Sequence, residues 1–170
     1  IINSGQILFN PDGSGQINLT SLDPRGKPIR KIRGGRIGMI FQEPMSSLSP
    51  IHTIGNQITE VIQLHRNVDK KTARQMAIAA LAQVEIPKPE KAVDRYAFEY
   101  SGGMRQRAMI AMALSCQPDV LIADEPTTAL DVTTQAEILD LMKSLQRELD
   151  TAIMFITHDM GVVAEIADEV

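Results

Sequence analysis

Three features predict an α/β protein built on a parallel sheet with a helical insert. Two strand patterns, Val120-Leu121-Ile122-Ala123 and Ala152 to Ile156, are apolar throughout and alternate with helical patterns. Such strands belong to parallel sheets covered by helices on both faces. Acidic and polar residues, Asp124-Glu125 and Thr157-His158, stand just past the carboxyl ends of those strands, where α/β sheets bind ligands. Residues 43–100 carry mostly helical spacing and predict an insert within that core.

The elements follow in order. Residues 6–9 and 16–19 read as short antiparallel strands joined through the Pro11-Asp12-Gly13 turn signal. Residues 36–41 form a third strand, and 43–55, with Pro44, Pro50 and Gly55, a loop. A helix is expected over 56–66. Asp69 caps the next one, whose apolar stripe is Ala73, Met76, Ala77, Ala80, Leu81 and Val84, and Pro87 and Pro89 end it. Ser101 caps a helix over 102–116. Thr134-Gln135-Ala136-Glu137 reads as a capping box for a helix to about Leu149, buried along Ile138, Met142, Leu145 and Leu149. A short helix starts near Met160.

The 170 residues suffice for one domain with a core. At 44% hydrophobic and 22% charged the composition is that of a soluble globular protein, and a net charge of −4 gives no reason to expect nucleic acid as a partner. The single cysteine, Cys116, excludes an internal disulfide and reads as a buried inert thiol in an apolar run. No stretch approaches the ~18 apolar residues of a membrane span, and no signal peptide opens the chain, so a cytoplasmic location is expected. Ile1 is not a Met and Val170 falls within an apolar pattern, so both ends read as cuts.

Four groups of residues carry chemistry. Asp124 can hold Mg²⁺ on nucleotide phosphates, and Glu125 can orient and deprotonate an attacking water. An acidic turn after a strand gives the same pattern. Ser101-Gly102-Gly103-Met104 opens a helix whose free N–H groups favour phosphate, although a capped Gly-rich helix start looks alike. His158 can reach a γ-phosphate as donor, or be structural. Gln42, after a strand, can bond a metal or water, or be a polar loop residue. His52 and His65 lack such context.

Taken together, Gln42, the helical insert, Ser101-Gly102-Gly103, Asp124-Glu125, Ala129-Leu130-Asp131 and Thr157-His158 stand in the order of the ABC-transporter ATPase family, which the chain resembles over essentially all its length. The resemblance implies a partial P-loop NTPase core (1–42 and 101–170) with a Q-loop and helical subdomain (43–100). It implies that Gln42 is the Q-loop glutamine and Ser101 to Met104 the signature loop, which closes over ATP held by a second ATPase subunit. Asp124 resembles the Walker B aspartate, Glu125 the catalytic glutamate, Asp131 the D-loop aspartate and His158 the switch histidine. Residues 41–50, 101–107 and 123–133 are similar to the dipeptide/oligopeptide importer branch, which includes glutathione and nickel systems. Met104 stands where the wider family has Gln but is common in that branch. Tyr100 replaces the usual Leu or Phe, with little effect expected because an apolar ring packs similarly.

The family also implies a Gly-x-x-x-x-Gly-Lys-Ser/Thr loop for the β- and γ-phosphates. Gly26-Lys27-Pro28 cannot serve, since Pro28 lacks both a hydroxyl and an N–H. The order of elements places that loop upstream of Ile1, and the isolated chain is then expected to expose apolar surface and to hydrolyse no ATP. The implied function is an ATPase subunit, peripheral on the inner face of the plasma membrane, that works with permease subunits and indirectly with a solute-binding protein. A non-transport ABC ATPase and a non-catalytic half supplying only a signature loop are the alternatives.

Overall fold

The computed structural model describes residues 4–11, 13, 15–128 and 130–170. Asp12 of the expected turn, Ala129 and the first three residues lie outside them. Strands β1 (Leu8–Phe9) and β2 (Ile17–Asn18) pair antiparallel, Leu8 opposite Asn18 and Phe9 opposite Ile17. Gly26-Lys27-Pro28 opens a short helix, α1 (Lys27–Ile32), with proline in its first turn, where a missing N–H costs nothing.

The core sheet has the order β3 (Ile37–Ile40), β4 (Val120–Asp124), β5 (Ala152–Ile156) among the described residues. Both pairings are parallel, with Ile40 opposite Ala123 and Asp124 opposite Ile156. The register brings the residues that follow the three strands to one edge.

One face of this sheet is packed. Ile40, Leu121 and Ala123 are buried, with Ile153 and Phe155 partly so. Helix α6 (Gly102–Leu114) lies against β3, and Gly38 permits the contact, since a Cβ there would stand 2.7 Å from the Ala113 carbonyl oxygen. The opposite face exposes apolar side chains, as expected of this chain. Met39, Ile122 and Met154 share it, and Met39, Met154 and Ile156 are exposed. The apolar run of β5 alternates between Ile153 and Phe155, partly buried on the packed face, and Met154 and Ile156, exposed on the other.

The insert is helical, with boundaries that differ from expectation. The segment after Gln42 holds a four-residue helix, α2 (Pro44–Ser47), where a loop was expected, and α3 spans Ile54–His65. Asp69 caps α4 (Lys70–Gln83) by accepting from the Thr72 N–H. Its stripe is buried through Ala73, Ala77 and Leu81. Neither Pro87 nor Pro89 ends α4. It stops through left-handed Glu85 (φ 59°), with Ile86 N–H donating back to the Leu81 carbonyl, and Pro89 instead begins α5 (Pro89–Ala92). Four consecutive buried residues on α6, Ala108 to Ala111, make it a central helix joining insert and sheet in one apolar cluster.

The cap of helix α7 (Val132–Leu149) stands three residues before Thr134, the cap of the expected capping box. Asp131 is its cap, accepting from the Thr134 N–H at 3.0 Å. Ile138, Met142 and Leu145 are buried as the periodicity predicts. Asp159 caps α8 (Met160–Ile166). Cys116 is buried, and burial pushes its thiol up.

Candidate functional site

At the carboxyl edge of the sheet, Glu125 follows β4 in a left-handed conformation (φ 44°), its N–H bonded to the Ile156 carbonyl at 2.9 Å. The chain therefore leaves the strand line at Glu125, a strained backbone for a non-glycine residue. Its carboxylate accepts from Gln42 Nε2 on Oε2 at 2.9 Å and shares a 2.9 Å hydrogen bond on Oε1 with His158 Nδ1. The Thr128 hydroxyl also donates to Oε2, at 2.9 Å. Three elements thus converge on one carboxylate, because β3, β4 and β5 end side by side. The bond to His158 first, then those from Thr128 and Gln42, hold the Glu125 carboxyl below the usual carboxylate range. The Glu125 side chain is 22% exposed and that of His158 74%, so the imidazole lies at the mouth of the site and the carboxylate deeper.

Asp124 is the last residue of β4 and half-buried. Among the described residues its carboxylate has no hydrogen-bond or ion-pair partner.

Ser101 caps α6, its hydroxyl accepting from Met104 N–H at 3.2 Å. Ser101 and Gly102 are exposed, and Gly103 and Met104 half-buried. This helix start lies against the first turn of α7, since a Cβ on Gly103 would meet Thr134 Cγ2 at 2.9 Å. Gly102 shares a cavity of about 340 Å³ with Gln42 and Pro126. Asp131 does not join the Glu125 cluster. Both its oxygens are taken up by Thr134, whose backbone N–H and then hydroxyl lower its carboxyl.

Residues 4–128 match the ABC transporter family. The chain belongs to that family. Two similar ABC proteins are the oligopeptide transport ATP-binding protein OppD of Bacillus subtilis and the glutathione import ATP-binding protein GsiA of Pectobacterium atrosepticum. The first is 54% identical over 166 residues, which are 98% of this chain and 44% of that protein. The second is 54% identical over 173 residues, 100% of this chain and 27% of that one. The chain thus spans less than half the length of these curated relatives. Among solved structures, the dimeric bacterial ABC transporter cassette MJ0796 is similar with a TM-score of 0.73 at 31% identity, covering 87% of this chain and 62% of that one. The same cassette in a post-hydrolysis state bound to ADP and Pi also gives a TM-score of 0.73, at 30% identity over 86% and 61% of the two chains.

Sequence reasoning missed part of this cluster. Thr128 was not singled out, although its spacing three residues after Glu125 is that of a turn whose side chains can meet. Tyr100 was expected to act only through its ring. The ring is buried, but its hydroxyl also donates to the Ala92 carbonyl at 2.9 Å, and burial pushes its pKa up to about 12. Arg105 donates to the Tyr100 carbonyl at 2.6 Å and fixes the same junction.

Proposed function

We propose that this chain is part of an ATP-hydrolysing subunit that powers uptake of peptides or similar small solutes through an ABC importer. The observation that carries the reading is the convergence of Gln42, Thr128 and His158 on Glu125 at the carboxyl edge of the sheet. Support for the solute class comes from the printed names of the relatives, an oligopeptide transporter and a glutathione importer.

Glu125 is the group that takes a proton from water. At rest it is held by three donors, which keep it ionised and make it a poor acceptor. Gln42 and His158 are placed to turn from Glu125 to the metal and the γ-phosphate, which frees the carboxylate when nucleotide is present. Asp124, half-buried and unpaired among the described residues, and the Gln42 carbonyl oxygen would hold Mg²⁺. Two hard oxygen donors fit a metal completed by phosphates and waters, and no group of three or more His, Cys, Asp or Glu among the described residues forms a protein-only cage. The bound metal would neutralise charge on the phosphates.

Ser101 to Met104, at the N-terminus of α6, serve the ATP of a second ATPase subunit, with Asp131 at the same face. The insert over 43–100 passes closure to permease subunits. It exposes Ile51 (76%) near Tyr96 and Phe98, whose rings stack with centroids 5.4 Å apart. No helix of the described residues is long and apolar enough to cross a membrane. Attachment to the inner face of the plasma membrane then runs through those subunits, with a solute-binding protein as an indirect partner.

The test is Glu125→Gln in the full-length protein. Turnover should fall by at least ~100-fold, while ATP-dependent dimers persist in size-exclusion chromatography. Normal turnover would remove Glu125 from the role of base.

A further inference from the structure

Three side chains bond the Glu125 carboxylate, and they differ in origin. Gln42 and His158 come from the ends of other strands, 83 and 33 residues away in the chain. Thr128 belongs to the turn that Glu125 itself opens, three residues on. Its N–H donates to the Glu125 carbonyl at 3.3 Å, and Pro126 and Thr127 between them are buried. Proline fixes one backbone angle of that turn, and the Leu130 N–H donates to the Thr127 carbonyl at 3.1 Å. The Thr128 hydroxyl therefore travels with the Glu125 backbone, whereas Gln42 and His158 are free to part from it.

The two carboxylate oxygens are held differently. Oε1 has His158 alone, at 2.9 Å. Oε2 accepts from Gln42 Nε2 and from the Thr128 hydroxyl, each at 2.9 Å. Once Gln42 and His158 turn away, Oε1 is bare and Oε2 keeps the donor from its own turn. The last torsion of a glutamate is soft and roughly two-fold, so without that donor neither oxygen has a fixed direction.

We propose that Thr128 is a positioning residue for Glu125, its hydroxyl holding Oε2 and leaving Oε1 as the oxygen that takes a proton from water. The water O–H bond breaks, the proton goes to Oε1, and the electron pair stays on the hydroxide oxygen that attacks the γ-phosphate. This rests on the reading of Glu125 as the base.

The experiment is steady-state ATP hydrolysis by the full-length protein with Thr128→Val and Thr128→Ser. Val keeps the branched shape and removes the donor. Thr128→Val should lower kcat by about tenfold, the low end for a hydrogen bond to a charged group, with KM for ATP unchanged. Thr128→Ser, which returns the hydroxyl without the methyl group, should recover most of that loss, whereas a packing role would favour Val over Ser. An unchanged kcat in Thr128→Val, a Ser variant as slow as the Val variant, or a KM for ATP that rises as kcat falls overturns the proposal. If Thr128→Val does not fold, Thr128→Ala is compared with Thr128→Ser in the same way. Glu125→Gln separates the two levels. If that variant keeps turnover, the reading of the base has failed and the role of Thr128 falls with it. If it abolishes turnover while Thr128→Val works at the wild-type rate, only the positioning role has failed.

Discussion

Glu125 and His158 stand 33 residues apart in the chain and share a hydrogen bond of 2.9 Å. The parallel register of β4 and β5, Asp124 opposite Ile156, makes the contact, because each side chain lies just past the end of its strand. With Gln42 reaching the same carboxylate from the end of β3, three neighbouring strand ends form one polar cluster.

The pH behaviour of that cluster has a definite sign. Glu125 is held below the ordinary carboxylate range, chiefly by His158. Its bonds therefore stabilise the fold above the unfolded-state carboxylate pKa and are lost as pH falls through the lowered value. In His158→Ala the titration midpoint of the Glu125 carboxyl should move up toward the ordinary range. Carbon-detected NMR titration reads this directly, and an unmoved midpoint would show that His158 is not the cause.

Gly55, at the start of α3, lies against Val93. A Cβ there would stand 2.3 Å from Val93 Cγ2 and 2.6 Å from the Val93 carbonyl oxygen, which also accepts from the Gly55 N–H at 2.8 Å. Gly55→Ala should destabilise the full-length protein by about 1–3 kcal/mol, as overpacking does. Urea unfolding checks it, and a midpoint equal to wild type would show that the insert yields.

The Tyr100 hydroxyl holds the Ala92 carbonyl at the end of α5. Tyr100→Phe keeps the ring and leaves that carbonyl with the Arg95 N–H as its remaining donor. The expected loss is about 1 kcal/mol, seen as a lower melting temperature with no change in the KM for ATP. A gain in stability would mean that the ring alone matters.

The open face of the sheet governs how the 170-residue chain behaves by itself. Phe41 (47%), Met154 (50%) and Ile156 (44%) are exposed around the ends of adjacent strands. The isolated chain should bind a hydrophobic dye and self-associate, and Met154→Lys should reduce both. Monodisperse behaviour without dye binding at micromolar concentration would contradict this.

Much of this was legible in the amino-acid order because it depends on local rules. Asp69 and Ser101 are followed at the third residue by the N–H they cap, a relation contained in four residues. The stripe of α4 and the buried face of α7 are helical periodicity. Boundaries were misjudged where two local signals competed. Asp131 outcompeted Thr134 as the cap of α7, and left-handed Glu85 ended α4 before either proline could.

What the sequence by itself determined was the set of elements, their α/β order and the polar residues at the strand ends. Tertiary structure alone decided which of those residues meet. Strand register brought Gln42 and His158 to the Glu125 carboxylate, and the packing of α6 buried the Gln106 carboxamide. It also left one face of an apolar strand bare, which periodicity cannot show. The physical reason is range. Capping and periodicity act within a few residues, whereas register and helix-on-sheet packing join groups tens of residues apart, whose meeting depends on how the whole core fills its space.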